Sequence, residues 1–300
     1  AQSYEPIGTI NPNNYEPAQK NIAQGKNGMV TTQHFLATAV GEKILNSGGN
    51  AYDAAIAVGF TLAVVLPRAG NIGGGGFLVY HGADGETTAF NFREKAPAAA
   101  FETMFLDEEG NLDETKHHRA LTSTGVPGTV AGLALAHDRF GSLPWSDLLQ
   151  PAVRLAENGF PFTWNLKSVQ ERFRSMAEDN PIYQSTADAF LKNGTETHEP
   201  GELLVQGDLA ETLKRIRDHG RDGFYKGETA RLIADFMSTW GGLITEADLA
   251  AYEADEQAPI HGTYRGYDIY SMSPPSSGGI AIVTMLNILE AYDLASLRQD

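Results

Sequence analysis

Apolar positions recur along this chain with helical spacing more often than with strand spacing. From Gln33 to Asn46, Leu36, Val40 and Ile44 return every four residues with Ala37 and Leu45 beside them, and Gly48-Gly49 follow. That spacing predicts an amphipathic helix closed by glycine. The next segment, Ala51 to Leu66, is apolar on every face, which predicts a helix covered by protein on all sides and the centre of the core. Two β-prone runs, Phe77 to His81 and Thr87 to Phe92, flank Gly82-Ala83-Asp84-Gly85 and predict a hairpin. Beyond Pro127 the helical period resumes over 128–140, 144–158, 207–219, 227–240 and 245–252. A strand pair is expected over Ala258 to Met272, broken at Tyr264-Arg265-Gly266-Tyr267, and a helix over Gly279 to Tyr292.

Helices at the start, a hairpin after them and more helices later give a segregated mixture, an α+β layered fold, and not strict βαβ alternation. Residues 1–28 are polar and rich in Asn, Gln and Pro, so an extended N-terminal arm is expected there. No Pro or Gly cluster is long enough to divide the remainder, and residues 29–300 are expected to form a single domain. The opening residues carry neither the cationic region nor the apolar core of a signal peptide.

Composition removes several function classes. With 22 Lys and Arg against 38 Asp and Glu, the chain of 300 residues carries a formal charge of −16, which argues against nucleic acid as a partner. There is no cysteine, hence no disulfide, thiolate nucleophile or cysteine metal site. The most apolar stretch, Ala54 to Leu66, has 13 residues between Asp53 and Pro67. A bilayer span needs about 20, so no membrane span is expected.

Most candidate motifs fail on spacing. The run Gly73-Gly74-Gly75-Gly76 lacks the sixth-place glycine of a dinucleotide loop, where Leu78 stands, and no Lys-Ser/Thr pair follows it. Close backbone packing is the preferred reading of these glycines, with a loop that walls an active site and donates amides to an oxyanion as the other. The eight histidines supply no metal frame; His117 and His118 are adjacent, so their rings are expected to diverge in a solvated loop, and no metal site is expected. No serine lies in G-x-S-x-G. Pro274-Pro275-Ser276-Ser277-Gly278-Gly279 reads first as a helix cap and only second as a catalytic part.

Arg93 sits at the end of the strand expected within Thr87 to Glu94. With period two, Phe90 and Phe92 share one face, while Arg93 lies on the other with Ala89 and Asn91. A guanidinium presented outward from a rigid strand binds a carboxylate through two parallel hydrogen bonds. Taken alone, such an arginine is more often a surface ion pair with a local acid.

Six segments stand in order along the chain: GEKILNSGGNAYDAAIAVGFTLAVVLPRAGNIGGGGF, NFREKAP, STGVPGTVAGLALAHDRFG, FYKGETA, GGLITEADLAAY and YSMSPPSSGG. Together they resemble the gamma-glutamyltransferase (gamma-glutamyltranspeptidase) family of the N-terminal-nucleophile hydrolase superfamily, over nearly everything from Met29 onward. The resemblance implies a four-layer αββα sandwich of which this chain is the helix-rich large-subunit part. It implies autocatalytic cleavage of a precursor before a threonine, whose hydroxyl attacks a γ-glutamyl amide such as glutathione. A γ-glutamyl ester then passes its acyl group to water, an amino acid or a peptide. No metal or organic cofactor is implied.

The position matching the family's carboxylate-binding arginine is Arg93. Glu94 and Ser276-Ser277-Gly278-Gly279 are supporting candidates, and no catalytic residue is expected within this chain. The nucleophilic threonine, oxyanion donors and amine-binding acid are expected on a small subunit from the same precursor, so the chain alone is expected to be inactive and the large subunit incomplete at its C-terminal end. Location in the periplasm or outside the cell is implied by resemblance only. A cephalosporin (glutaryl) acylase-like hydrolase of the same family and a non-catalytic scaffold with this fold are the alternatives, and Arg93 leans the reading toward γ-glutamyl.

Overall fold

A computed structural model of the chain describes residues 24–294 and 296, so the polar arm expected over 1–28 falls, up to residue 23, outside the described residues. In chain order come α1 (Phe35–Asn46), α2 (Ala51–Val65), β1 (Phe77–His81), β2 (Thr87–Asn91), α3 (Glu114–His118), α4 (Thr129–Phe140) and α5 (Trp145–Asn158). Next are β3 (Phe160–Pro161), α6 (Trp164–Asp179), α7 (Gln184–Phe190), β4 (Leu203–Leu204), α8 (Gly207–His219), α9 (Asp222–Tyr225), α10 (Gly227–Trp240) and α11 (Glu246–Ala251). The last are β5 (Asp255–Gln257), β6 (Ile260–Tyr264), β7 (Tyr267–Ser271) and α12 (Gly278–Glu290). Many helices and few short antiparallel strands make this an α+β chain. Its described residues divide into two compact units, one up to Asn71 together with Phe140–Phe224, the other Ile72–Arg139 together with those from Tyr225 onward.

The first unit is built around α2. Ile56, Ala57, Phe60, Val64 and Val65 are wholly inaccessible to solvent, but the expected cover on all sides is not met: Ala51 and Ala55 are exposed, and Val58, Gly59 and Leu62 on the same stripe are only half-buried. It packs on α1 and α5, and α5 packs in turn on α8. Asp53 is not merely the polar edge of this stretch: it is the third residue of α2 and fully buried. Its carboxylate accepts the Asn50 N–H at 2.9 Å, the Ser142 N–H at 3.0 Å, the Leu143 N–H at 3.3 Å and the Ser142 hydroxyl. Burial pushes its pKa up, but the hydrogen bonds outweigh burial and hold it below the ordinary carboxylate value. One buried charge thereby ties the start of α2 to the start of the α4–α5 connection.

In the second unit β2 is the central strand of an antiparallel sheet ordered β1-β2-β5. Phe77 pairs with Asn91, and Asn91 with Asp255 on the other side. The alternation expected for β2 is not met, because Thr88, Ala89 and Phe90 are all buried; a central strand covered on both faces has no solvent side. β6 and β7 form the expected hairpin. Arg265 (φ 50°) and Gly266 (φ 84°) both take the left-handed conformation that a tight two-residue connection requires. α12 lies over β6, so close that a side chain on Gly262 would come within 2.5 Å of Val283.

Helix α6 and strand β5 had no sequence signal. The buried stripe of α6 contains Gln170, 2% exposed, whose amide bonds the Phe190 carbonyl, the His198 N–H and the His198 ring, so a polar residue interrupts the apolar period. β5 reads Asp-Glu-Gln and owes its strand state to pairing with β2.

His34, 7% exposed, caps α1: its Nδ1 accepts the Leu36 N–H at 3.3 Å, so the neutral ring carries its proton on Nε2, which has no partner among the described residues. Burial lowers its pKa from 6.5 to about 4. A folded pKa below the unfolded one means that the unfolded chain takes up the proton first on acidification. His34 therefore contributes a loss of stability that begins as pH falls through 6.5 and levels off below about 4. Urea midpoints measured at pH 7 and pH 4.5 should converge in His34→Asn, which keeps a capping acceptor without a titrating ring, relative to the wild type. Equal acid sensitivity of the two proteins would remove His34 as a source.

Candidate active site

Arg93 lies two residues past the end of β2, and what holds it there is backbone packing. Phe92 and Gly76 exchange both backbone hydrogen bonds, 3.2 and 3.1 Å, which extends the β1-β2 ladder by one pair. A Cβ on Gly75 would stand 2.5 Å from the Phe92 carbonyl oxygen, 2.8 Å from the Glu94 nitrogen and 2.9 Å from the Arg93 Cα. Those are backbone atoms that cannot swing away, so only glycine lets the two segments approach so closely. The Gly74 carbonyl accepts the Gly128 and Thr129 N–H groups at 2.7 and 3.0 Å and so satisfies two donors at the start of α4. The close-packing reading of the glycine run is the one these contacts support.

Arg93 is exposed. Its backbone N–H donates to Asn91 Oδ1 at 3.2 Å and its carbonyl accepts the Tyr252 hydroxyl at 2.8 Å. One guanidinium donor, Nη1, reaches the Pro275 carbonyl at 3.3 Å. Among the described residues no carboxylate pairs with the guanidinium, so the local ion pair that would be its ordinary explanation is not formed. A guanidinium has five donors in a plane, and after one contact to Pro275 the fork remains open to a ligand.

The sequence-predicted supporters divide. Glu94 is exposed beside Arg93, and its charge acts on the Tyr252 phenol. The segment from Pro274 reaches Arg93 through the Pro275 carbonyl, not through a serine. Gln257 Nε2 holds the Pro274 carbonyl at 3.1 Å and the Ser273 hydroxyl holds the Ala258 carbonyl at 2.7 Å. The expected cap is corrected in detail: α12 begins at Gly278, Ser277 makes no side-chain capping bond, and Ser276 Oγ accepts the Gly278 N–H at 3.3 Å. Tyr252 was not singled out by sequence reading; a lone tyrosine after a short helix carries no signal until the fold brings it to Arg93.

The expectation for His117 and His118 is also corrected. They end α3, with His117 Nδ1 and His118 Nε2 3.1 Å apart and the Glu114 carboxylate 3.1 Å from His118 Nε2. This exposed group is the one cluster of metal-ligand type among the described residues, and it contains no residue of the Arg93 site. A recess of about 430 Å³ in the first unit, lined by Asn71, Asp188, Gln206 and Asp208 among others, is equally separate in its residues.

A helix-rich α+β chain with a few short antiparallel strands, like this one, is the architecture of one part of an N-terminal-nucleophile hydrolase. The chain belongs to the gamma-glutamyltranspeptidase family, whose sequence profile matches residues 37–300. It is 49% identical over 271 residues to the glutathione hydrolase proenzyme of Escherichia coli (strain K12), covering 90% of this chain and 46% of that protein. Identity to the acylase ACY 1 proenzyme of Pseudomonas sp. (strain SE83) is 41% over 286 residues, 93% of this chain and 50% of that protein. The crystal structure of Helicobacter pylori gamma-glutamyltranspeptidase superposes with a TM-score of 0.88 at 44% identity, over 92% of this chain and 78% of that one. The chain spans about half the length of the curated relatives it matches.

The packing account predicts a contrast within the glycine run. Gly75→Ala should destabilise the protein by about 1–3 kcal/mol through overpacking. Gly73→Ala, where no atom lies within 4 Å of an added Cβ, should stay within about 0.5 kcal/mol of the parent. Urea unfolding of the two variants side by side checks this.

Proposed function

We propose that this chain is the large-subunit part of a gamma-glutamyltransferase/glutathione hydrolase, in which Arg93 grips the α-carboxylate of the γ-glutamyl substrate. The supporting observation is the exposed guanidinium, fixed at its root and paired with no acid among the described residues. In the reaction proposed, the threonine hydroxyl of the partner subunit attacks the γ-amide carbonyl, with the hydroxyl proton passing through the threonine's free amine to the departing nitrogen. The C–O bond of a γ-glutamyl ester forms as the C–N bond breaks. Water, or the amine of an amino acid or peptide, then attacks the ester and returns the threonine. Arg93 takes no part in bond exchange; two parallel hydrogen bonds to the carboxylate orient the chain so that the amide carbonyl meets the nucleophile. This chemistry calls for no metal or organic cofactor.

The partner has physical support in α12. Apart from Gly279 none of its residues is buried, and Ile280, Ile282, Met285 and Ile288 are 51%, 44%, 54% and 58% exposed. A helix apolar on its open side asks for a covering protein surface, and the small subunit of the same precursor is the occupant proposed. Periplasmic or extracellular location belongs to the same reading; no helix among the described residues is long and apolar enough to cross a membrane.

The identity to an acylase proenzyme favours a second reading, a glutaryl-type acylase. A glutaryl group ends in a carboxylate at the same reach and differs by lacking the α-amine, so Arg93 by itself serves either acyl group. Turnover of γ-glutamyl-p-nitroanilide against glutaryl-p-nitroanilide by the assembled enzyme separates the two. For Arg93→Lys, a point charge in place of a fork, KM for γ-glutamyl-p-nitroanilide should rise about tenfold or more with a smaller change in kcat. An unchanged KM would remove Arg93 from the substrate site.

A further inference from the structure

An arginine past the end of a strand has no ladder partner to fix the direction of its side chain, yet the backbone around Arg93 is held on both sides. On one side stands Gly75. On the other, the Tyr252 hydroxyl donates to the Arg93 carbonyl at 2.8 Å, and two residues on, Lys95 Nζ donates to the Glu253 carbonyl at 2.7 Å and pairs with Asp255 at 3.4 Å. Residues 252–255 therefore grip alternate residues of the arginine segment, and Lys95 Nζ lies 5.3 Å from the centre of the Tyr252 ring.

Tyr252 is itself immobilised. It is 2% exposed and its ring stacks on that of Tyr225 at 5.7 Å with 9° between planes. The fully buried Tyr225 donates to the Pro127 carbonyl at 2.7 Å and accepts the Ala131 N–H at 3.3 Å, which locks the pair to the start of α4. Gly128 leaves the room required: a Cβ there would stand 2.1 Å from both the Tyr252 oxygen and the Phe92 carbonyl oxygen. Burial, then the nearby Asp255 and Glu94 charges, push the phenol up to about 12, so the hydroxyl keeps its proton and remains a donor throughout the physiological range.

We infer that Tyr252 is a positioning residue for substrate binding: by donating to the Arg93 carbonyl from a ring anchored on Tyr225, it fixes the direction in which the guanidinium is presented to the substrate carboxylate. The inference rests on the carboxylate role proposed for Arg93. It distinguishes Tyr252 from a residue that merely fills the core, because it assigns the effect to one oxygen atom.

The test uses the assembled two-chain enzyme and γ-glutamyl-p-nitroanilide. Tyr252→Phe keeps the ring and its stack, and should raise KM about five- to tenfold while kcat changes by less than about twofold. In an Arg93→Ala background the same substitution should add no further increase in KM, since no guanidinium remains to be aimed. Two results overturn the inference: an unchanged KM in Tyr252→Phe, with or without a lower melting temperature, or an equal rise in KM in both backgrounds. Failure of the parent reading looks different. Arg93→Ala alone would then leave KM unaltered, and the positioning role would fall with it.

Discussion

The backbone from Phe92 to Glu94 is confined between glycine and phenol, and that confinement organises the second unit. Gly75 approaches it so closely that a single added carbon would overlap three backbone atoms, and the Tyr252 hydroxyl closes it from the opposite side. The Gly74 carbonyl simultaneously satisfies the start of α4, and Tyr225 binds the same helix start to the tyrosine pair. Loop, strand end, helix start and aromatic stack thus share one set of contacts. A rigid root is what an exposed arginine needs to be selective, since the planar fork is spared ordering cost on binding only when its base is already held.

The first unit has its own constraint in Asp53. A carboxylate with no solvent contact is tolerated because it accepts three backbone N–H groups and a hydroxyl. The same carboxylate accepts the N–H of the cap residue Asn50 while the Asn50 side chain accepts the Asp53 N–H, a reciprocal pair that closes the start of the apolar helix. Both units pair a dense apolar or aromatic interior with a few polar contacts that fix chain direction.

How much was legible follows from the kind of interaction involved. The two hairpins announced themselves through turn residues, Asp84-Gly85 and Arg265-Gly266, and α1, α2, α8 and α10 through apolar period and glycine boundaries. Helix α6 was hidden because Gln170 occupies its buried stripe, and β5 because three polar residues become a strand only by pairing with β2. The rings of His117 and His118 meet because five residues coil into α3, which no apolar period marks. Arg93 could be proposed from the strand pattern and family likeness, but its open fork and its tether to Tyr252 depend on contacts across 159 positions of sequence. No local pattern encodes these.

The central claim is that Arg93, held by Tyr252 and the glycine run, receives the substrate carboxylate. The most direct measurement is a crystal structure of the assembled enzyme with a γ-glutamyl inhibitor bound. The account predicts two guanidinium nitrogens within about 3 Å of the two carboxylate oxygens, with the Tyr252 hydroxyl still on the Arg93 carbonyl. A carboxylate held by other residues, with the Arg93 guanidinium turned to solvent, would contradict it.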